Sequence, residues 1–226
     1  MDLSVHAEGS VLRGISGEET LAAAELALDT WTDVRCDDQR PSLDRGLVEL
    51  GDESFEFNRD RPNVNVIRFV DSGWPGQKEA LAKTILNLNL DTGEILDADI
   101  LLNSETFSFA LEPASNEVDL VAVLTHEVGH LLGFDHSAVP GATMQPDARG
   151  FATAELLDLE PDDRAAMCAA YPPKPEAPPS RIHADSADDE GGCSIGHERR
   201  RGVEAGVATL LAGVCALARR RTKRTR

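Results

Sequence analysis

Residues 126–136 read His-Glu-Val-Gly-His-Leu-Leu-Gly-Phe-Asp-His, and their three imidazoles and first carboxylate are spaced so that they can do chemistry together. Apolar residues recur at helical intervals over 118–132, which predicts a helix there. His126 and His130 then project from one face, about a turn apart. Two nitrogens so placed can share one Zn²⁺, and Glu127 beside them can reach a water on the metal. A helix continued further would carry His136 about 600° round from His130, onto roughly the opposite side. Gly133 removes that difficulty. Glycine readily takes the left-handed conformation that ends a helix, so the chain can turn back and return His136 to the same ion. Three histidines leave one tetrahedral position open, which is the catalytic rather than the structural arrangement of zinc.

The set His126, Glu127, His130, Gly133 and His136 resembles the extended pattern of the metzincin metalloproteases, in which a Met-turn follows. Ser137 after the third histidine is similar to the matrixin branch. Ala142-Thr143-Met144-Gln145-Pro146 resembles the Met-turn, with Met144 expected as an apolar floor beneath the zinc. Bacterial matrixin-like proteins more often carry an aromatic residue where this chain has Gln145, a departure that bears on local packing and not on the ligand set. The resemblance covers roughly residues 18–172. It implies an α+β fold, a twisted mixed sheet with an active-site helix. It also implies a zinc-dependent endopeptidase acting on extracellular proteins, with His126, His130 and His136 as metal ligands and Glu127 as general base. The partner is then a peptide or protein substrate, which the strand around 107–111, or the one before it, would take up in extended form. The alternative is a catalytically silent, zinc-containing surface binding module, against which Glu127 speaks because binding needs no base. A zinc staple in a tethered structural protein is disfavoured by the open fourth position.

The elements that must position these residues follow from periodicity. Residues 18–34 read as an amphipathic helix, with Ser16 as N-cap, Glu19 three residues later, and Leu21, Ala24, Leu28 and Trp31 at helical spacing. Residues 37–62 are polar and irregular, with Val48 and Leu50, then Phe55 and Phe57, as brief alternations. Strands are expected over 63–70, 83–90, 95–102 and 106–111, with Asp91-Thr92-Gly93-Glu94 as a turn between the middle two. Residues 147–159 read as a loop, and Glu160-Pro161 opens a last helix that runs to about Tyr171. Asp91, Glu94, Asp97 and Asp99 are dense oxygen ligands. They are either a Ca²⁺ site, as the resemblance to matrixins implies near this strand, or an acidic hairpin facing solvent. Cys36 follows the first helix and Cys168 lies in the last. The pair is either a disulfide stapling the two ends of the domain or two buried free thiols.

Charge is unevenly distributed. Residues 1–171 carry 11 basic and 33 acidic side chains, which argues against a nucleic-acid partner. Residues 1–17 lack a basic segment followed by roughly 7–15 apolar residues, so no secretory signal is read there and a disordered or truncated segment is expected. Residues 173–192, rich in Pro, Ser and Asp, read as a disordered linker. Residues 193–226 combine Cys193, a short apolar helix over 202–218 and a run of arginines from Arg219. That order resembles the C-terminal sorting tail of myxobacterial surface proteins and implies a transmembrane or cell-surface attachment with the active site outside the cytoplasm. An amphipathic or disordered basic tail is the other reading.

Overall fold

Apolar residues alternate at period two in three strands: Leu3 and Val5; Ile67 and Phe69; Ala98, Ile100 and Leu102. All of them are buried in one core cluster. The computed structural model describes residues 2–43, 45–53, 55–60, 62–146 and 158–174. Its main sheet has five strands: β1 (Leu3–His6), β2 (Val48–Gly51), β3 (Asn65–Phe69), β4 (Ala82–Leu88) and β5 (Ile95–Leu102). They lie in the order β2-β1-β3-β5-β4. All neighbours are parallel except β4, which runs antiparallel to β5 and forms one edge. A separate parallel pair joins β6 (Phe109–Ala110) to β7 (Val118–Asp119).

Three helices complete the α+β architecture: α1 (Gly17–Thr32), α2 (Leu120–Leu131) and α3 (Pro161–Ala170). The start of α1 is fixed by a reciprocal capping box. Ser16 Oγ accepts from the Glu19 N–H at 3.2 Å, and Glu19 Oε2 accepts from the Ser16 N–H at 2.8 Å. The inner face of α1 (Ala23, Ala24, Ala27, Leu28 and Trp31) is fully buried. Its small residues let α1 approach α2 closely, and the Trp31 indole N–H donates to the Thr125 carbonyl of α2 at 2.8 Å. Cys36 and Cys168 form a disulfide, Cα atoms 5.5 Å apart, that joins the segment after α1 to α3.

Residues 1–17 depart from the expected disorder. Leu3–His6 is a strand inside the sheet, paired on both sides, and Leu3 and Val5 are buried. Four residues are too few to show a period by themselves; their partners are 45 and 62 positions away at Val48 and Asn65. Strand β2 falls on the brief alternation of Val48 and Leu50, within a stretch that otherwise reads as irregular. The expected strand over 106–111 shrinks to Phe109–Ala110. The expected helix at 118 starts at Leu120, because Asp119 caps it by accepting from the Ala122 N–H at 3.0 Å. Among the described residues no helix is long and apolar enough to cross a membrane. Most of the expected linker, and the whole of the expected tail at 193–226, lie outside the described residues.

Candidate active site

The site is built on α2, which is apolar nearly all round and buried along almost its whole length. His126 and His130 stack edge to face one turn apart, with ring centroids 4.8 Å apart. Helix α2 then ends. Gly133 adopts φ +91°, in the left-handed region, and the Phe134 N–H donates back to the Gly129 carbonyl at 3.0 Å. This reversal returns His136, so that ligand atoms of the three histidines all lie within 4.8 Å of one another. His130 Nε2 and His136 Nε2 are 3.2 Å apart. Zn–N bonds of about 2.0–2.1 Å in a tetrahedron put nitrogen pairs about 3.3–3.4 Å apart, so the donor set fits this ion.

Main-chain carbonyls orient the rings. His126 Nδ1 lies 2.7 Å from the Thr143 oxygen, and His130 Nδ1 lies 2.8 Å from the Phe134 oxygen. A carbonyl can only accept, so each Nδ1 carries the proton and each Nε2 keeps its lone pair for a metal. Burial pushes the His126 imidazole down to about 4, against the Thr143 carbonyl and helped by the neighbouring His130 and His136. Burial lowers His130 as well. Both are therefore neutral near pH 7, the form that ligates.

Glu127 is only 7% exposed. Burial pushes its carboxyl up to about 7, and the Thr84 hydroxyl, donating to Glu127 Oε2 at 2.5 Å, pulls in the opposite direction. A carboxyl poised there exchanges protons readily at neutral pH.

Met144 is buried against α2 at Gly129, in a space that exists because residue 129 is glycine. A Cβ at that position would meet Met144 Sδ at 2.2 Å and Trp31 Cζ2 at 2.8 Å. The turn itself is held from α3. Asp163 accepts from the Thr143 N–H at 2.7 Å and from the Met144 N–H at 3.2 Å. Gln145 finds its own local partner by accepting from the Gly141 N–H at 2.9 Å. The loop that delivers His136 is braced from two sides. Phe134 stacks on Trp31, centroids 5.1 Å apart, and the Tyr171 hydroxyl donates to the Leu132 carbonyl at 2.8 Å.

The four acidic residues considered for Ca²⁺ are not brought together. Asp91 and Glu94 are exposed in the turn between β4 and β5, whereas Asp97 and Asp99 are buried on β5. Among the described residues, the histidine triad is the one group of three or more His, Cys, Asp or Glu side chains close enough to share an ion. The expected substrate strand also moves. Residues 107–111 contribute only β6, paired with β7, and β5 is interior, so the edge that packs near α2 is β4.

Thr84, Thr143 and Asp163 were missed as functional residues. Thr84 did carry a signal, as the polar residue in an otherwise apolar inward set with Ala82 and Leu86. Asp163 reads in sequence only as an acidic residue suited to a helix N-terminus, and its main-chain partners are 19 and 20 positions away.

A family model described as Matrixin matches residues 15–172. Metalloendoproteinase 1-MMP of Arabidopsis thaliana is 33% identical over 129 residues, covering 56% of this chain and 32% of that protein. Metalloendoproteinase 5-MMP of the same plant is 43% identical over 54 residues, covering 24% and 15%. Matrix metalloproteinase-25 of Homo sapiens is 34% identical over 77 residues, covering 34% and 14%. The chain thus spans about a third or less of the length of these curated relatives.

Proposed function

The chain belongs to the matrixin family, and from that premise we propose that it is a zinc-dependent endopeptidase. The observation that carries this reading is the convergence of His126, His130 and His136 beside a buried Glu127. Zinc, when bound, supplies an acidified water and a positive charge for the developing oxyanion. Glu127 accepts the proton of the attacking water and returns it to the leaving amine, a transfer suited to a carboxyl near 7. Strand β4, an edge of the sheet among the described residues, offers an extended peptide a strand to join.

The second reading, a silent zinc-containing binding module, differs in one measurable respect. Glu127→Ala keeps all three imidazoles, so it should retain stoichiometric zinc while peptide hydrolysis falls by about 10²- to 10⁴-fold. Near-normal turnover in that variant would remove Glu127 from the mechanism. A wild type that holds zinc yet cuts no peptide would favour the silent module. The disulfide supports a working place outside the cytoplasm, with extracellular proteins as substrates. Attachment to the cell surface through residues 193–226 belongs to the same proposal.

A further inference from the structure

Thr84 is the third residue of β4, and its side chain turns inward to α2. Its Oγ1 lies 2.5 Å from Glu127 Oε2 and 3.3 Å from the Glu127 carbonyl oxygen. A hydroxyl has one proton to give, and the shorter contact to the carboxylate is the one that takes it. Glu127 Oε2 is thereby occupied. Little water reaches this buried carboxylate to replace the bond.

The main chain of the same residue is turned away from β5, and it too hydrogen-bonds the Glu127 carboxylate. The Asn103 N–H donates to the Leu81 carbonyl at 2.8 Å, which marks Leu81 and Asn103 as a hydrogen-bonded pair of the β4–β5 ladder. The register continues with Ala82 opposite Leu102, Lys83 opposite Leu101 and Thr84 opposite Ile100. Antiparallel ladders alternate bonded and non-bonded pairs. Lys83 therefore faces β5 with its N–H and C=O, whereas Ala82, Thr84 and Leu86 direct theirs to the outer edge. The Val70 N–H donates to the Leu102 carbonyl at 2.8 Å, which agrees with this alternation, because even-numbered residues of β5 then serve β3.

We propose that Thr84 is a positioning residue for the general base: from the edge strand of the sheet its hydroxyl sets the orientation of the Glu127 carboxylate. The proposal rests on the reading of Glu127 as the base.

The test uses the full zinc-loaded chain and a quenched-fluorescent peptide spanning the first bond that the wild type cuts in denatured casein. Thr84→Val keeps the shape and the strand preference but lacks the hydroxyl. It should retain zinc and a KM within about twofold, while kcat falls by about 10- to 100-fold, as expected when a reacting group is misplaced. Thr84→Ser restores the donor and should recover kcat to within about threefold. A merely structural role would instead move stability, or KM, without this rescue. Wild-type kcat in Thr84→Val, or an equal loss in Thr84→Ser, overturns the proposal. A wild type inert on casein and on a pool of peptides sinks the endopeptidase reading instead. Crystals of zinc-loaded wild type and Thr84→Val then judge the positioning alone, and an identical Glu127 carboxylate orientation in both overturns it.

Discussion

Between the two helical histidines, Gly129 decides how closely the turn that carries Met144 can approach. Alanine there would gain about 1 kcal/mol of helix propensity. Against that gain stands a Cβ placed 2.2 Å from Met144 Sδ and 2.8 Å from Trp31 Cζ2, with both side chains buried. Overpacking of this kind costs about 1–3 kcal/mol, occasionally more. Two contacts under 3.0 Å place the cost at the upper end of that range, so the balance predicts that Gly129→Ala destabilises the domain by about 2 kcal/mol and weakens zinc binding, because Met144 cannot retreat without moving Thr143, whose carbonyl holds His126. Calorimetry together with a zinc titration checks this. A variant as stable as the wild type, with unchanged zinc affinity, would mean that Met144 is not confined as described.

Strand β5 separates its side chains by face. Ala98, Ile100 and Leu102 enter the helix-packed core, while Asp97 and Asp99 share the opposite face yet are also buried. Asp99 Oδ1 accepts from the Val66 N–H at 2.9 Å, whereas Oδ2 has no hydrogen-bond partner. Burial raises the Asp99 carboxyl to about 6 from an ordinary 3.8; the Val66 N–H opposes this and the nearby Asp97 adds to it. Between about pH 4 and 6 the folded chain therefore holds a proton that the unfolded chain has released. Stability from this group is full below the ordinary value, falls as pH rises through that window, and stays low above it. Asp99→Asn keeps an acceptor for Val66 and removes the charge. It should flatten the fall between pH 4 and 6 and raise Tm at pH 7 by roughly 2–4 °C. Melting curves at pH 4, 5, 6 and 7 decide the matter, and an unchanged slope would show that Asp99 does not carry the effect.

At the scale of the whole molecule, the Cys36–Cys168 bond closes a loop of sequence separation 132 and ties α3 to the segment after α1. Helix α3 supplies Asp163 to the turn at Thr143 and Met144 and is capped by Tyr171, which holds the loop carrying His136. The cross-link therefore restrains the element that braces the site from below. Replacing both cysteines by serine should cost about 2–4 kcal/mol, chiefly by freeing the unfolded chain. The bond also reports the compartment. If the enzyme works outside the cytoplasm, fractionated cells expressing the full chain should yield the cross-linked peptide pair from the envelope or the medium. Recovery of the chain from the cytoplasm alone, with both thiols free, would refute the proposed location and attachment together.

The sequence by itself determined whatever depends on short separations. His126, Glu127, His130 and Gly133 lie within two turns of one helix or at its end, so spacing alone predicts their shared face and the reversal toward His136. The Ser16–Glu19 capping box, the hairpin joining β4 to β5 and the proline that opens α3 are equally local, because their partners lie within a few residues. Tertiary structure decided the pairings that span long stretches of chain. Strand β1 is too short to show a period, and becomes a strand only because Val48 and Asn65 arrive on either side of Leu3. Which strand is the outer one follows from the order β2-β1-β3-β5-β4, and no local propensity encodes that order. The four carboxylates of residues 91–99 look like one cluster in a row of letters, but strand pleating and a turn send two into the protein and two into solvent. Thr84 meets Glu127, and Asp163 meets Met144, only after the sheet and α3 have packed around α2. A hydrogen bond between distant residues is set by which elements share a core, and that choice is made by the burial of the whole chain at once.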